Sequence, residues 1–327
     1  MRKAAFLYNP ASGSGRKRRL EDVESAAAVV RAAGVEVVAM PTRAAGSAGE
    51  QAREAVAAGC DAVFACGGDG TVHEALQGII EAGGAAALGI IPLGTGNALA
   101  QDLGIPRNPA RAAKALVEGE PRRLAAGKVE YHDATGQPGH RYFTVMAGAG
   151  PNAMLVYAMN LAWKERLGMA AYAAQAGLSW ATAYFAPFEV EYRETESGES
   201  RRRVVAEMLA ARVSDFPFPL RRVAPGAALT RDDMRIILFQ PPVRLRYLAH
   251  LSGAMLGIAW KVPGVELVHA TEVLCRPLEP GPSDSRKKSV RVYAEADGEL
   301  LGTLPARFSM VPNAFTLLVP KEKTWSR

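Results

Sequence analysis

A pattern that recurs through the first third of this chain limits its fold more than any other: a short apolar strand, a turn, then a helix. Lys3 to Tyr8 is apolar and ends at Asn9-Pro10. Arg18 to Ala33 has helical spacing, with Leu20, Val23, Ala27, Val30 and Ala33 available for one face, and Gly34 stops it. Further strands are expected at Val35 to Met40, Ala62 to Cys66 and Ala87 to Ile91. Helices are expected at Gly49 to Ala58, Thr71 to Glu81, Asn97 to Leu103 and Ala110 to Glu118. Strands alternating with helices imply right-handed crossovers and a mainly parallel sheet covered on both faces. The expectation is a doubly wound α/β domain over residues 1–126.

Near Gly127 the pattern changes. Val129 to His132 and Tyr142 to Ala147 alternate like strands around a turn-rich stretch, and a long helical block follows from Ala153 to Ala186. Strand-like runs then recur at Phe188–Arg193, Val204–Val213, Met234–Phe239, Val265–Cys275, Val290–Ala294 and Phe315–Pro320. A β-rich, antiparallel, sandwich-like domain with inserted helices is expected over 127–327, its final ~15 residues packing back on the first domain.

Composition narrows the setting. The chain is 49% hydrophobic and 22% charged, ordinary for a protein with a full core. Lys+Arg 39 against Asp+Glu 33 leaves a net +6, which suits an anionic membrane surface, a polyphosphate ligand or a nucleic acid equally well. Nucleic acid is not expected, because the arginines are dispersed and no recognised module is present. Cys60, Cys66 and Cys275 have no metal-finger spacing and fit a reducing compartment, and Cys60 and Cys66, flanking an apolar strand, read as buried thiols. The apolar run Ala4 to Tyr8 is too short for a signal peptide. Met169 to Phe188 carries no charge, but its alanines, Gln175, Ser179 and Thr182 read as a buried helix rather than a membrane span. The reading is cytoplasmic.

Three glycine-bearing turns follow strands in the first hundred residues: Asn9-Pro10-Ala11-Ser12-Gly13-Ser14-Gly15, Gly67-Gly68-Asp69-Gly70-Thr71, and Pro92-Leu93-Gly94-Thr95-Gly96-Asn97. Glycines let a backbone approach phosphate closely, and a helix N-terminus beyond them offers N–H groups to an anion. Neither the second nor the third is a P-loop or a dinucleotide fingerprint. Asp69, set inside such a loop, would repel phosphate unless a cation intervened; it is a candidate to organise Mg²⁺ or to contact an acceptor hydroxyl. A tight turn with a solvated Asp is the bland alternative.

The Asn-Pro-x-Ser-Gly-x-Gly opening, GGDGT followed by Val72-His73-Glu74, and PLGTGN resemble the catalytic domain shared by diacylglycerol, sphingosine and ceramide kinases. The likeness runs on through Lys164…Gly168…Tyr172, through Ala224-Pro225-Gly226-Ala227-Ala228-Leu229 with Asp232, and through Asp297-Gly298-Glu299 with Leu304-Pro305 and Val319-Pro320. It implies an ATP site lined by Asn9, Thr42, Gly67, Gly68, Asp69, Gly70, Thr71, Val72, His73, Gly94, Thr95 and Asn97. From the bare sequence, His73 reads as a helix-start residue. The resemblance further implies that Glu299 accepts the proton of a lipid hydroxyl, with Asp69 its rival. The carbonyls of Leu229 and Met234 with the Asp232 carboxylate would hold a structural Mg²⁺. The family fold is a nucleotide domain followed by a β-rich domain, as read above. Partners would be a lipid at the membrane surface and anionic headgroups, with a homodimer expected at the family level.

This chain departs from the pattern that the resemblance implies at Ala98, where many relatives carry Asp, at Asn152, where the pattern is Gly-x-Asp-Ala, and at Asp233, where it is Asp-Gly. Membrane contact could fall to the aromatics of 153–186, to the Phe216-Pro217-Phe218-Pro219 loop, or to basic clusters at 16–19, 201–203, 221–222 and 244/246. Equally, the aromatics could be core and the arginines a solvated face. Two other readings compete with an ATP-dependent lipid kinase: a soluble small-molecule kinase of the NAD-kinase type, and a nucleotide-responsive membrane-binding protein with weakened catalysis.

Overall fold

The computed structural model describes residues 1–10, 16–151, 185–214, 216, 222–258, 261–278 and 291–321. The helical block expected at 153–186 lies outside them except for its last two residues, as do Asn152 and most of the Phe216–Pro219 loop. The chain divides into two compact units. The first comprises Met1–Ala126, Ala228–Asp232 and Val311–Arg327; the second comprises Gly127–Ala227 and Asp233–Met310.

The first unit is a parallel sheet with helices. Strands β1 (Lys3–Tyr8), β2 (Glu36–Pro41), β3 (Ala62–Gly67) and β4 (Ala87–Pro92) stand in the order β2-β1-β3-β4, every neighbouring pair parallel. β3 is buried at all six positions, because a strand covered on both faces must be apolar throughout. Phe6 and Phe64 stack across β1 and β3 at 4.7 Å. Helices α1 (Arg16–Ala32), α2 (Ala48–Ala57), α3 (Asp69–Glu81), α4 (Ala98–Asp102) and α5 (Pro109–Val117) connect the strands. α5 starts with Pro109 behind Asn108, whose side chain accepts from the Arg111 N–H at 3.0 Å. On α1 the buried side chains are Arg19, Val23, Ala26, Ala27 and Val30, whereas Leu20 is 42% exposed. The expected positions Val23, Ala27 and Val30 are buried, while Leu20 and Ala33 at the ends are exposed and Arg19 and Ala26 are buried instead.

In the second unit, strand pairing closes on itself. β7 (Met146–Ala149), β10 (Glu207–Ala211), β11 (Met234–Phe239), β12 (Val265–Pro277), β13 (Tyr293–Ala296) and the first half of β14 (Glu299–Val319) pair antiparallel in the ring β13-β7-β10-β11-β12-β14-β13. The hairpin of β8 (Phe188–Glu194) and β9 (Ser200–Val205) joins β12, and β5 (Glu120–His132) forms another with β6 (Pro138–Phe143). Phe143, Phe188, Met234 and Phe308 fill the core. Helix α6 (Val243–Leu256) adds its face to a second cluster with Leu209, Ile237 and Phe239.

Several expected boundaries shift. The segment read as one strand over Val204–Val213 is two, β9 and β10, meeting at Ala206. β5 begins nine residues before Val129, and β14 runs 21 residues where only its end, Phe315 onward, was expected.

Candidate functional site

In the first unit, strand order reverses between β1 and β3, and an open α/β sheet receives ligands beyond the carboxyl ends of its strands at such a place. Asn9 follows β1 and Thr42 follows β2, whose ends are joined by the Thr42 N–H donating to Tyr8 O at 2.8 Å. The two glycine turns follow β3 and β4.

Those turns touch backbone to backbone. The Leu93 N–H donates to Gly67 O at 2.8 Å. A Cβ on Gly94 would overlap the Gly68 Cα, and one on Gly67 would overlap the Thr71 side chain. A side chain at Gly94 would push the two loops apart, and one at Gly67 would displace Thr71 within its own turn.

Asp69 fastens them. Its carboxylate accepts from the Asn97 N–H at 2.8 Å and from the Ala98 N–H at 2.7 Å. Asn97 itself is left-handed at φ 57°, and its amide both accepts from the Gly94 N–H at 3.2 Å and donates to Gly94 O at 2.6 Å. A Cβ on Gly96 would come within 2.8 Å of the Asp69 carboxylate. Asp69 also opens α3, where the helix dipole favours a negative charge, and α3 has no side-chain cap on its first turn. Gly70, Gly94 and Thr95 form the exposed rim. The structure thus brings Gly67, Gly68, Asp69, Gly94 and Asn97 together.

The side chains of Val72 and His73 are buried on α3, His73 beside Gln77.

In the second unit, Asp297-Gly298 is the two-residue turn between β13 and β14, with φ 45° and 86°. The Asp297 carboxylate accepts the N–H groups of Thr144, Val145 and Met146, each at 2.9 Å. Its own N–H donates to Met146 O at 2.7 Å. Glu299 opens β14, its side chain 51% exposed and paired with Arg141 of β6 at 2.5 Å. Asp69 and Glu299 belong to different units.

Residues 3–129 match the diacylglycerol kinase catalytic domain, and residues 146–319 match the YegS C-terminal NAD kinase beta sandwich-like domain. The chain belongs to the diacylglycerol kinase catalytic-domain family. It is 27% identical to a diacylglycerol kinase of Bacillus subtilis (strain 168) over 325 residues, 99% of this chain and 98% of that one. Over 161 residues, 49% of each chain, it is 35% identical to a probable lipid kinase, YegS-like, of Chromohalobacter salexigens. Its fold is shared with a diacylglycerol kinase structure from Bacillus anthracis str. Sterne at TM-score 0.68 and 17% identity, covering 98% and 97% of the two chains. The family is one of lipid kinases, with a nucleotide-binding domain and a β sandwich-like domain.

Against the family's pattern, residues 229–234 and Glu295 carry information that the motifs hid. Of the pair Asp232-Asp233, the first is exposed and the second buried. Asp233 stands 3.2 Å from His269 Nδ1, and its carbonyl accepts from Arg212 at 2.7 Å, so the residue that replaces a family glycine is a packed polar link. Leu229 and Met234 are buried. Neighbouring Glu295 is fully buried on β13, accepts from the Gly298 N–H at 3.2 Å through one oxygen, and has no partner on the other. Burial pushes its carboxyl up to about 8. Only an acid at an inward strand position could have signalled this in the sequence.

The arginines of 201–203 are not a free basic patch. Arg201, Arg202 and Arg203 pair with Glu194 and Glu199, with Glu189 and Glu191, and with Glu266. The hairpin register sets Glu191 directly opposite Arg202. Arg19, read as part of a basic cluster, is buried. All three cysteines are free and buried. No helix among the described residues is long and apolar enough to cross a membrane.

Proposed function

We propose that this chain transfers the γ-phosphoryl group of ATP to the hydroxyl of a membrane lipid, with Mg²⁺ accompanying the triphosphate. The observation that supports this most is the Asp69 clamp, which holds two glycine turns in contact beside the uncapped start of α3. Phosphoryl transfer needs positioning and charge neutralisation more than covalent help from the protein. The rim at Gly70 and Thr95 offers N–H groups to phosphate oxygens, the Gly94 N–H being taken by the Asn97 side chain, while Asn9 and Thr42 stand at the neighbouring strand ends.

Mg²⁺ is a hard cation that takes one or two carboxylates together with phosphate oxygens and water. Among the described residues no group of three or more His, Cys, Asp or Glu gathers to hold a metal, and an ion carried on a triphosphate requires none. Asp69 is the carboxylate at the loops. The carbonyls of Leu229 and Met234 with the exposed Asp232 carboxylate are a second set of oxygen donors of suitable chemistry. An ion held there would be structural, whereas one carried on the triphosphate beside Asp69 would neutralise phosphate charge.

Glu299 is the proposed acceptor of the hydroxyl proton, oriented by Arg141. General-base help is worth roughly 10²–10⁴-fold, so Glu299→Gln lowers turnover by that order and leaves ATP affinity unchanged. Full turnover in the variant removes Glu299 from the mechanism.

The deciding experiment incubates the protein with radiolabelled ATP, Mg²⁺ and a total lipid extract and identifies the product by chromatography. A labelled phospholipid is expected, with diacylglycerol, the acceptor in the relatives' names, tested first. Label passing to NAD instead, or ATP bound with no label transferred, would overturn the reading.

A further inference from the structure

Helix α6 has two apolar faces. Val243, Tyr247, His250, Gly253 and Ala254 are buried against the second unit's sheet. A surface helix ordinarily turns a polar stripe to water on its opposite side. On α6 that stripe is Leu245 (77% exposed), Leu248 (46%), Met255 (55%) and Leu256 (66%), followed beyond the Gly257 cap by Ile258 (50%). Their spacing of three and four residues puts them on one side of the helix, with Ser252 between them. Five of the nine exposed large apolar side chains among the described residues fall within residues 245–258. Concentration of that kind marks a contact surface rather than scattered exposure.

Charge identifies the occupant. No Asp or Glu occurs from Met234 to Val265, whereas Arg244, Arg246 and Lys261 do. Arg244 is exposed, its guanidinium 5.5 Å from the Phe185 ring centroid. Arg246 is half-buried and donates to the carbonyls of Gln240 and Pro241 at 2.7 and 2.6 Å, fixing the start of the helix. An apolar stripe bordered by cations and free of acids fits an anionic lipid surface. A second copy of the chain fits poorly, because a two-fold contact through α6 brings like charges together.

We propose that α6 is the element by which this protein docks on an anionic bilayer, its outer stripe entering the headgroup region with Arg244 beside it. This deepens the lipid-kinase reading by naming how the enzyme reaches a substrate that stays in the membrane.

The test sediments the full-length chain with vesicles of phosphatidylcholine alone and of phosphatidylcholine mixed with phosphatidylglycerol. The wild type binds the mixed vesicles more strongly. The triple variant Leu245→Gln, Leu248→Gln, Met255→Gln binds them at least ~10-fold more weakly, with an unchanged circular-dichroism melt because the replaced side chains are exposed. Arg244→Gln loses the preference for the anionic mixture. Phosphorylation of a short-chain, water-dispersed diacylglycerol by the triple variant matches the wild type. Equal sedimentation of the wild type and the triple variant, no sedimentation of either, or a wild-type dimer that becomes a monomer in the triple variant would each overturn the proposal. Docking that depends on α6 in a protein that phosphorylates no lipid leaves the proposal standing and removes the kinase reading instead.

Discussion

Glu295 and Asp297 lie two residues apart and meet opposite surroundings. Asp297 accepts three backbone N–H groups, while Glu295 is fully buried with one oxygen unpartnered. In the unfolded chain Glu295 ionises near its ordinary 4.5, but in the fold only near 8. Over that interval the unfolded state binds fewer protons, so this residue lowers stability as pH rises from about 4.5 to about 8 and has no further effect above. Glu295→Gln keeps an acceptor for Gly298 and has no such loss. Its melting temperature should match the wild type near pH 4.5 and exceed it increasingly toward pH 8; a constant gap would show that Glu295 is not held neutral. At this scale the sequence was legible where glycine spacing carried the message. The Gly67–Thr71 and Gly94–Asn97 turns are where they were expected, but nothing in the residue types said that Asp69 would spend both oxygens on the neighbouring loop. Asp-Gly between strand-like runs is also a hairpin signal, and it was obscured because the same residues belong to a family motif.

At the scale of elements, α2 and α3 cross in close contact. A Cβ on Gly78 would overlap Gly49 O, and one on Gly49 would stand 3.0 Å from Glu74 O. Alanine in place of Gly78 gains up to ~1 kcal/mol of helix propensity but forces the helices apart at a cost of roughly 1–3 kcal/mol or more. Gly78→Ala should therefore lower the urea midpoint; an unchanged or raised midpoint would mean that the crossing yields easily. The first unit's elements were readable because buried parallel strands are continuous apolar runs bounded by turns. The second unit's were less so. α6 has no contrast between its faces and so gives no amphipathic period, and Gly302, Pro305 and Pro312 broke up the signal of β14. Glu120-Pro121-Arg122-Arg123 carries no apolar alternation, yet it opens β5.

On the scale of the whole molecule, neither unit is a continuous stretch of chain. β14 supplies Thr316 and Leu317 to pair with Ala87 and Leu88 of β4, and Phe315 and Leu317 are fully buried. A chain truncated after Met310 should lose these contacts, unfold at a lower temperature and aggregate, and adding back a peptide of residues 311–321 should restore part of the loss. A truncated chain as stable as the full one would show that β4 does not need its last partner.

That late partner has a consequence for synthesis. β4 is complete by residue 92, but the residues that pair with it begin at 316. At ~5–20 residues per second, a nascent chain passes on the order of 10–50 seconds with one flank of that strand bare. The cell's burden with this protein falls in that interval, when a ribosome-tethered fragment must be shielded from its neighbours until translation delivers the missing piece.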